Sequence, residues 1–449
     1  MNYNNITSMA LLIKTATLIL LLSCIPCIST AGFIPTLQEG PDTTDYFSEG
    51  YLRNEDHIYQ PDIKTVLLHR SGWELTDPVI QLNSDEQLAL SFDDLQADVK
   101  SYHYTVVHCS ANWQTSDIRP NEYIDGFTDD VINDYHFSFN TWQKFTHYDL
   151  LFPNDNFKIT LSGNYILKVY IGDNPENLAF TSRFMIVDQR VSVDPKVTRA
   201  AIIEDQDYRQ DVGFSIFTGN YYIAEPFRDL SVVVRQNGRW DNANTNLKPY
   251  LVKGDELDYH YSDGSNSFEG GNEFRYFSIK SLLTLSERLH DVTNTDTGYQ
   301  VMLWPDQRRT FKVYLSDKDI DGRYIIKTED GTDSQVEADY AYVRFFLPNT
   351  TPMSGGSIYV AGKLTSWQFN DESRMKYNFA TRRYEATLYL KQGYYNYIYL
   401  YLPNRSKVGE SAFVEGNHSE TENSYTICVY HRAKGDLYDQ LIAVTTVIR

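Results

Sequence analysis

Leu161-Ser162-Gly163-Asn164-Tyr165-Ile166-Leu167-Lys168-Val169-Tyr170-Ile171 is the stretch from which the fold is read. From Tyr165 onward aromatic and β-branched residues dominate, the side chains that suit a pleated, half-buried surface. Gly163 and Asn164 tolerate positive φ, so Ser162-Gly163-Asn164 predicts a tight hairpin entering the strand. Similar runs lie on either side: Lys64 to His69, Gln87 to Phe92, Tyr102 to Cys109 and Ala179 to Val187. Their regular spacing predicts a β-sandwich.

The same reading continues along the chain. Val191 to Val197 contains Asp194-Pro195 and loses the alternation, which sets a first boundary and ends an N-terminal sandwich over 32–192. Gly213 to Thr218, a hairpin of Leu230 to Arg235 with Gly238 to Trp240, Tyr299 to Leu303, Arg323 to Lys327 and Tyr340 to Leu347 predict a second sandwich over 193–350. Ile279 to Leu289 reads as one short helix inside it. Pro348 to Gly356, rich in Pro, Thr and Gly, sets a second boundary. Ser357 to Ala361, Tyr384 to Leu390, Tyr394 to Leu402, Tyr425 to His431 and Leu441 to Val447 then predict a third sandwich over 351–449. The expectation is an all-β protein of three consecutive immunoglobulin-like β-sandwich domains.

Composition agrees. The 449 residues are 42% hydrophobic and include 35 Tyr and 23 Phe, enough to bury several cores. Sixty Asp and Glu against 40 Lys and Arg give a net charge of −20, which repels nucleic acid and anionic lipid. Lys14 precedes an apolar run from Ala16 to Leu22, followed by Ser29, Thr30 and Ala31, so residues 1–31 read as an export signal. Leu21-Leu22-Ser23-Cys24 also resembles a lipoprotein box, with lipidation at Cys24 as the other outcome. No segment reaches the roughly 20 apolar residues of a membrane-spanning helix. Of the four Cys, only Cys109 and Cys428 lie outside the export segment, and they read as two separate buried thiols.

Motifs for chemistry are sparse. Neither G-x-S-x-G nor H-E-x-x-H occurs, and there is no phosphate-cradling glycine loop. Ser373 and Lys376 make one S-x-x-K without its partner motifs. His103 and His108 stand an odd number of positions apart in one strand, so they point to opposite faces and share no metal. Asp317, Asp319, Asp321 and Gly322 follow the calcium-loop spacing, but the twelfth position is Thr328 rather than a bidentate Glu. The run therefore reads as an acidic hairpin, with Asp317, Asp319 and Asp321 the nearest approach to a metal site. No catalytic or cofactor residue is assigned. Trp73, Trp113, Trp142, Trp240, Trp304 and Trp367 are read as core fillers before a sugar-stacking platform.

Several separated motifs carry a resemblance. They are His108-Cys109-Ser110-Ala111-Asn112-Trp113, Glu122-Tyr123-Ile124-Asp125-Gly126-Phe127, Phe137-Ser138-Phe139-Asn140-Thr141, His147-Tyr148 and Phe152-Pro153-Asn154. Ser162-Gly163-Asn164-Tyr165, Phe268-Glu269-Gly270-Gly271-Asn272-Glu273-Phe274-Arg275 and Asp321-Gly322-Arg323-Tyr324 complete the set. In order and spacing they resemble the plug protein of the type IX secretion system of Bacteroidota. The resemblance implies a non-enzymatic periplasmic protein, peripheral to the outer membrane, that sits on the β-barrel translocon and blocks its pore when no client is exported. Motif glycines and Trp113 are read as marks of fold rather than points of contact. Tyr359-Val360-Ala361-Gly362, Trp367 and Gly393-Tyr394-Tyr395-Asn396-Tyr397 are similar to immunoglobulin-like domains that bind starch or glycogen, which implies carbohydrate binding as the alternative function.

Overall fold

A strand buries every second side chain, so sequences that alternate in this way fold by stacking one sheet on another. In the computed structural model, which describes residues 52–449, this yields seven sheets and only single-turn helices. The export segment, Cys24 and the start of the expected 32–192 domain lie outside the described residues. No helix among the described residues is long and apolar enough to cross a membrane.

The first core forms between two antiparallel faces. Gly163–Ile171 lies between Leu178–Val187 and Tyr102–Cys109, and the opposing sheet runs Ile63–Arg70, Leu88–Asp94, Thr146–Phe152, Asp134–Phe137. Buried rings fill the space: Phe92 stacks on Tyr148 at 5.1 Å and Tyr165 on Phe184 at 5.3 Å between centroids. Ser162-Gly163-Asn164 does not close the expected hairpin, because Phe157–Ile159 pairs instead with Ile124–Gly126. Gly163, at φ +145°, is needed for close approach: a Cβ there would stand 2.5 Å from His108 Nε2.

The expected division at 350/351 does not hold. Leu230–Gln236 pairs with Ser424–His431, which in turn pairs with Gln440–Ile448. Gly393–Pro403 is flanked by Arg275–Ser278 and Tyr324–Ile326, and Tyr340–Pro348 pairs with Arg383–Lys391. The second core is therefore discontinuous, built from residues 191–268 and 425–447, and the third, 277–414, is inserted into it. Alternation identifies strands but not their partners, and both segments of the second core alternate equally well. Two local expectations also change. Leu230–Gln236 finds its sequence-near partner at Asn244–Leu247 rather than 238–240. Residues 279–288 form no helix, since Ser281 Oγ and the Leu282 amide bond to Asp330 and pull the chain into a loop.

The chain leaves the second core at Gly270-Gly271 and returns at Asn417-His418. The crossing is tight: the Gly271 amide donates to Asn417 Oδ1 at 2.7 Å and the His418 amide to Gly271 O at 2.9 Å. A Cβ on Gly270 would stand 2.0 Å from the His418 carbonyl oxygen. Immediately beyond, Arg275 donates to Glu415 on the returning chain at 2.8 Å and to Asp306 at 3.0 Å. The Phe268–Arg275 motif is thus the hinge at which one sandwich is inserted into another.

Candidate functional site

The three cores meet around a cavity of about 320 Å³, whose lining includes Asp56, Asp77, Arg183, Arg235, Arg323 and Lys363. Arg235, near the end of Leu230–Gln236 in the second core, reaches Asp77 of the first at 2.7 Å, while Arg323 of the third reaches the same carboxylate at 3.4 Å. Burial opposes the charge on Asp77, but these cations and Lys363 outweigh it and hold its pKa below the usual range. Lys363 of the third core bonds Asp56 of the first at 3.1 Å.

Aromatic rings complete the junction. Trp113 and Trp240 meet edge to face at 4.9 Å, joining the first and second cores. Arg183 lies 4.6 Å over Trp113, Arg235 4.2 Å over Trp240, and Arg239 5.6 Å over Trp367. Stacked guanidiniums contribute about 0.5–2 kcal/mol each, more when desolvated. Trp113, Trp240 and Trp367 also line the cavity, each with a guanidinium against its ring. Trp73, Trp142 and Trp304 are exposed elsewhere, and Arg70 lies over Trp73. Tyr395, Asn396 and Tyr397 of the starch-module resemblance are buried.

Cys109 and Cys428 come together in the apolar cluster between the first and second cores, both as free, buried thiols. Burial raises both thiol pKa values, that of Cys109 to about 12.

A second contact pins the third core to the first. Lys391, fully buried, donates to Asp93 at 2.7 Å and to Gln335 O at 2.7 Å. Tyr340 donates to the same carboxylate at 2.5 Å, and His147 Nδ1 lies 2.5 Å from its other oxygen. Lys391 also lies 4.1 Å over the Phe145 ring. Asp339 accepts from the amides of Trp142 and Gln143.

The chemistry-bearing candidates are used structurally. The Asp319 carboxylate accepts from the amides of Phe274 and Asp321, Asp321 faces Arg323, and Asp317 accepts from the Lys318 amide. Burial, offset in part by those amides, raises Asp319 to about 7. Among the described residues no three His, Cys, Asp or Glu are grouped as a metal site would need. Ser373 is buried and donates to Gln368 O at 2.8 Å, while Lys376 is exposed.

One motif does present contact groups. Asp134–Phe137 is a sheet edge that is exposed at every position. Tyr135, Phe137 and Phe139 are spaced two apart, with Phe137 and Phe139 exposed at 56% and 66%. Alternation alone did not separate these rings from buried ones, and Arg183, Arg235, Asp93 and Lys391 carried no motif at all.

Residues 63–188 match the family described as type 9 secretion system plug protein 1st domain. A crystal structure of a hypothetical protein from Parabacteroides merdae is similar to the chain, at 36% identity and a TM-score of 0.86, covering 89% of this chain and 100% of that one. Trypsin-activated alpha-2-macroglobulin from Escherichia coli aligns at 10% identity with a TM-score of 0.15, covering 86% of this chain and 23% of its own. No curated protein matches the chain.

Proposed function

Because the chain belongs to the type IX secretion system plug protein family, a secretion component and not an enzyme family, we propose that it is a periplasmic plug. In this reading it docks on the outer-membrane β-barrel translocon and blocks the pore when no client is being exported. The observation that carries the reading is that the family match covers the sandwich whose edge presents Tyr135, Phe137 and Phe139. Aromatic side chains on and just beyond a sheet-edge strand are the anchors that specific interfaces favour, and closing a wide pore needs an interface above about 1,000 Å². Rigidity supports it too. A blocking body must not flex open, and the ion pairs and stacked rings between all three cores resist that.

The test is an affinity pull-down of tagged full-length protein from outer-membrane extract. Wild type is expected to recover the large barrel. A triple variant, Tyr135→Ser, Phe137→Ser and Phe139→Ser, should lose it at an unchanged melting temperature. Failure of the wild type to recover the barrel from cells that contain it overturns the proposal.

A further inference from the structure

From Arg308 to Lys318 the third core carries a segment with an unusual combination of features. Phe311, Val313 and Leu315 are spaced two apart and exposed at 97%, 87% and 79%. Between them, Lys312 is exposed and Tyr314 turns inward, its hydroxyl donating to Glu273 and its ring lying 5.6 Å from that of His418. The Lys312 amide closes a turn on Arg309 O at 2.9 Å, and beyond it residues 313–317 run with Val313 and Leu315 outward and Tyr314 alone turned to the body. Yet the segment belongs to no sheet, and the backbone amides of residues 313–317 donate to no protein acceptor among the described residues.

Its charge is equally unmatched. In a chain of net charge −20, Arg308, Lys312 and Lys318 form no ion pair among the described residues. Arg308 donates to Phe413 O and Lys312 to Gln307 Oε1. Arg308 is half-buried, whereas most other buried and half-buried cations face a carboxylate, as at Asp77, Asp93 and Glu415. The end of the segment is fixed, since the Phe274 amide donates to Asp319 and the Ile320 amide to Asn396 Oδ1, both at 2.5 Å.

We propose that residues 313–317 are a docking strand that pairs with an extended segment of a partner protein, apolar at alternate positions and acidic between them. Free amides supply the ladder, as in strand addition to an open edge. Val313 and Leu315 meet the partner's apolar residues across the strands, with exposed Phe311 beside them, and Lys312, exposed at the turn that leads into the strand, meets an acidic one. Lysine here also disfavours pairing with a second copy of the same strand, where like charges would face each other. A bilayer surface fits less well, because unpaired amides cannot be buried in hydrocarbon. This pairing is independent of docking on the barrel.

The test uses the full-length chain with a synthetic peptide alternating Val and Glu, its Val/Lys counterpart, and vesicles containing phosphatidylglycerol. Hydrogen exchange of amides 313–317 and peptide affinity are measured for wild type, Lys312→Glu and Val313→Pro. Because both positions are exposed, the fold is expected to survive, and a melting curve checks it. The Val/Glu peptide should slow exchange at 313–317, and both variants should weaken its binding at least tenfold. No protection by that peptide, equal protection by the Val/Lys peptide, or protection by vesicles alone would each overturn the proposal.

Discussion

Raising the pH from 6.5 to 9 should loosen the contact between the first and third cores through one residue, His147. Its ring is buried, which works against the charged form, but the Asp149 and Asp93 carboxylates override burial and raise its pKa from 6.5 to about 9. Burial alone would neutralise Asp93, and Lys391 holds it in its charged form. A proton bound more tightly in the folded state than in the unfolded one stabilises the fold fully below pH 6.5. That contribution falls away as the pH rises through about 9. A tenfold difference in proton affinity is worth about 1.4 kcal/mol, so about 3 kcal/mol is lost across the window. Urea unfolding at half-unit pH steps reads this as a falling midpoint. His147→Gln cannot titrate, and it should start lower at pH 6.5 and stay level to pH 9. If wild type and His147→Gln fall in parallel, the proton resides elsewhere and the reasoning is refuted.

Three further outcomes follow from the same geometry. Gly270→Ala places a Cβ against the His418 carbonyl at the crossing of the chains. It should destabilise by about 1–3 kcal/mol in denaturant unfolding, whereas an alanine at Gly172, with nothing nearby except its own φ, should do less. Glu415→Gln leaves Arg275 and Arg309 short of a buried partner and should cost about 3 kcal/mol in the same assay. Burial opposes the charge on Glu415, but Arg275 and Arg309 outweigh it and lower the pKa to about 2. The wild-type contribution should therefore be complete above pH 4.5 and vanish only near pH 2. Trp240→Ala removes the ring that Trp113, Arg183 and Arg235 pack on, and should open the junction to limited proteolysis between the first and second cores.

How far the sequence could be read depended on the range of the interaction. Strands such as Tyr102–Cys109 and Tyr340–Pro348 were legible within about a residue at each end, because period-two burial is a local property. The insertion of one sandwich into another was not legible, since Leu230–Gln236 pairs with residues almost 200 positions away and nothing local records it. Gly270-Gly271 read as turn chemistry, and only the returning chain at His418 shows why a side chain there is excluded. The ion pairs at Asp77 and Asp93 involve ordinary charged residues inside strands or loops, which look solvent-exposed until their partners arrive. Trp113 was legible as packing, but not as packing between two cores.

Pore blocking is tested most directly by the conductance of the purified barrel translocon in a planar bilayer, with this protein added from the periplasmic side. Wild type is predicted to close the large open-pore current, and the Tyr135→Ser, Phe137→Ser, Phe139→Ser variant is predicted to leave it open. An open-pore current unchanged by saturating, folded wild-type protein would contradict the assignment as a plug.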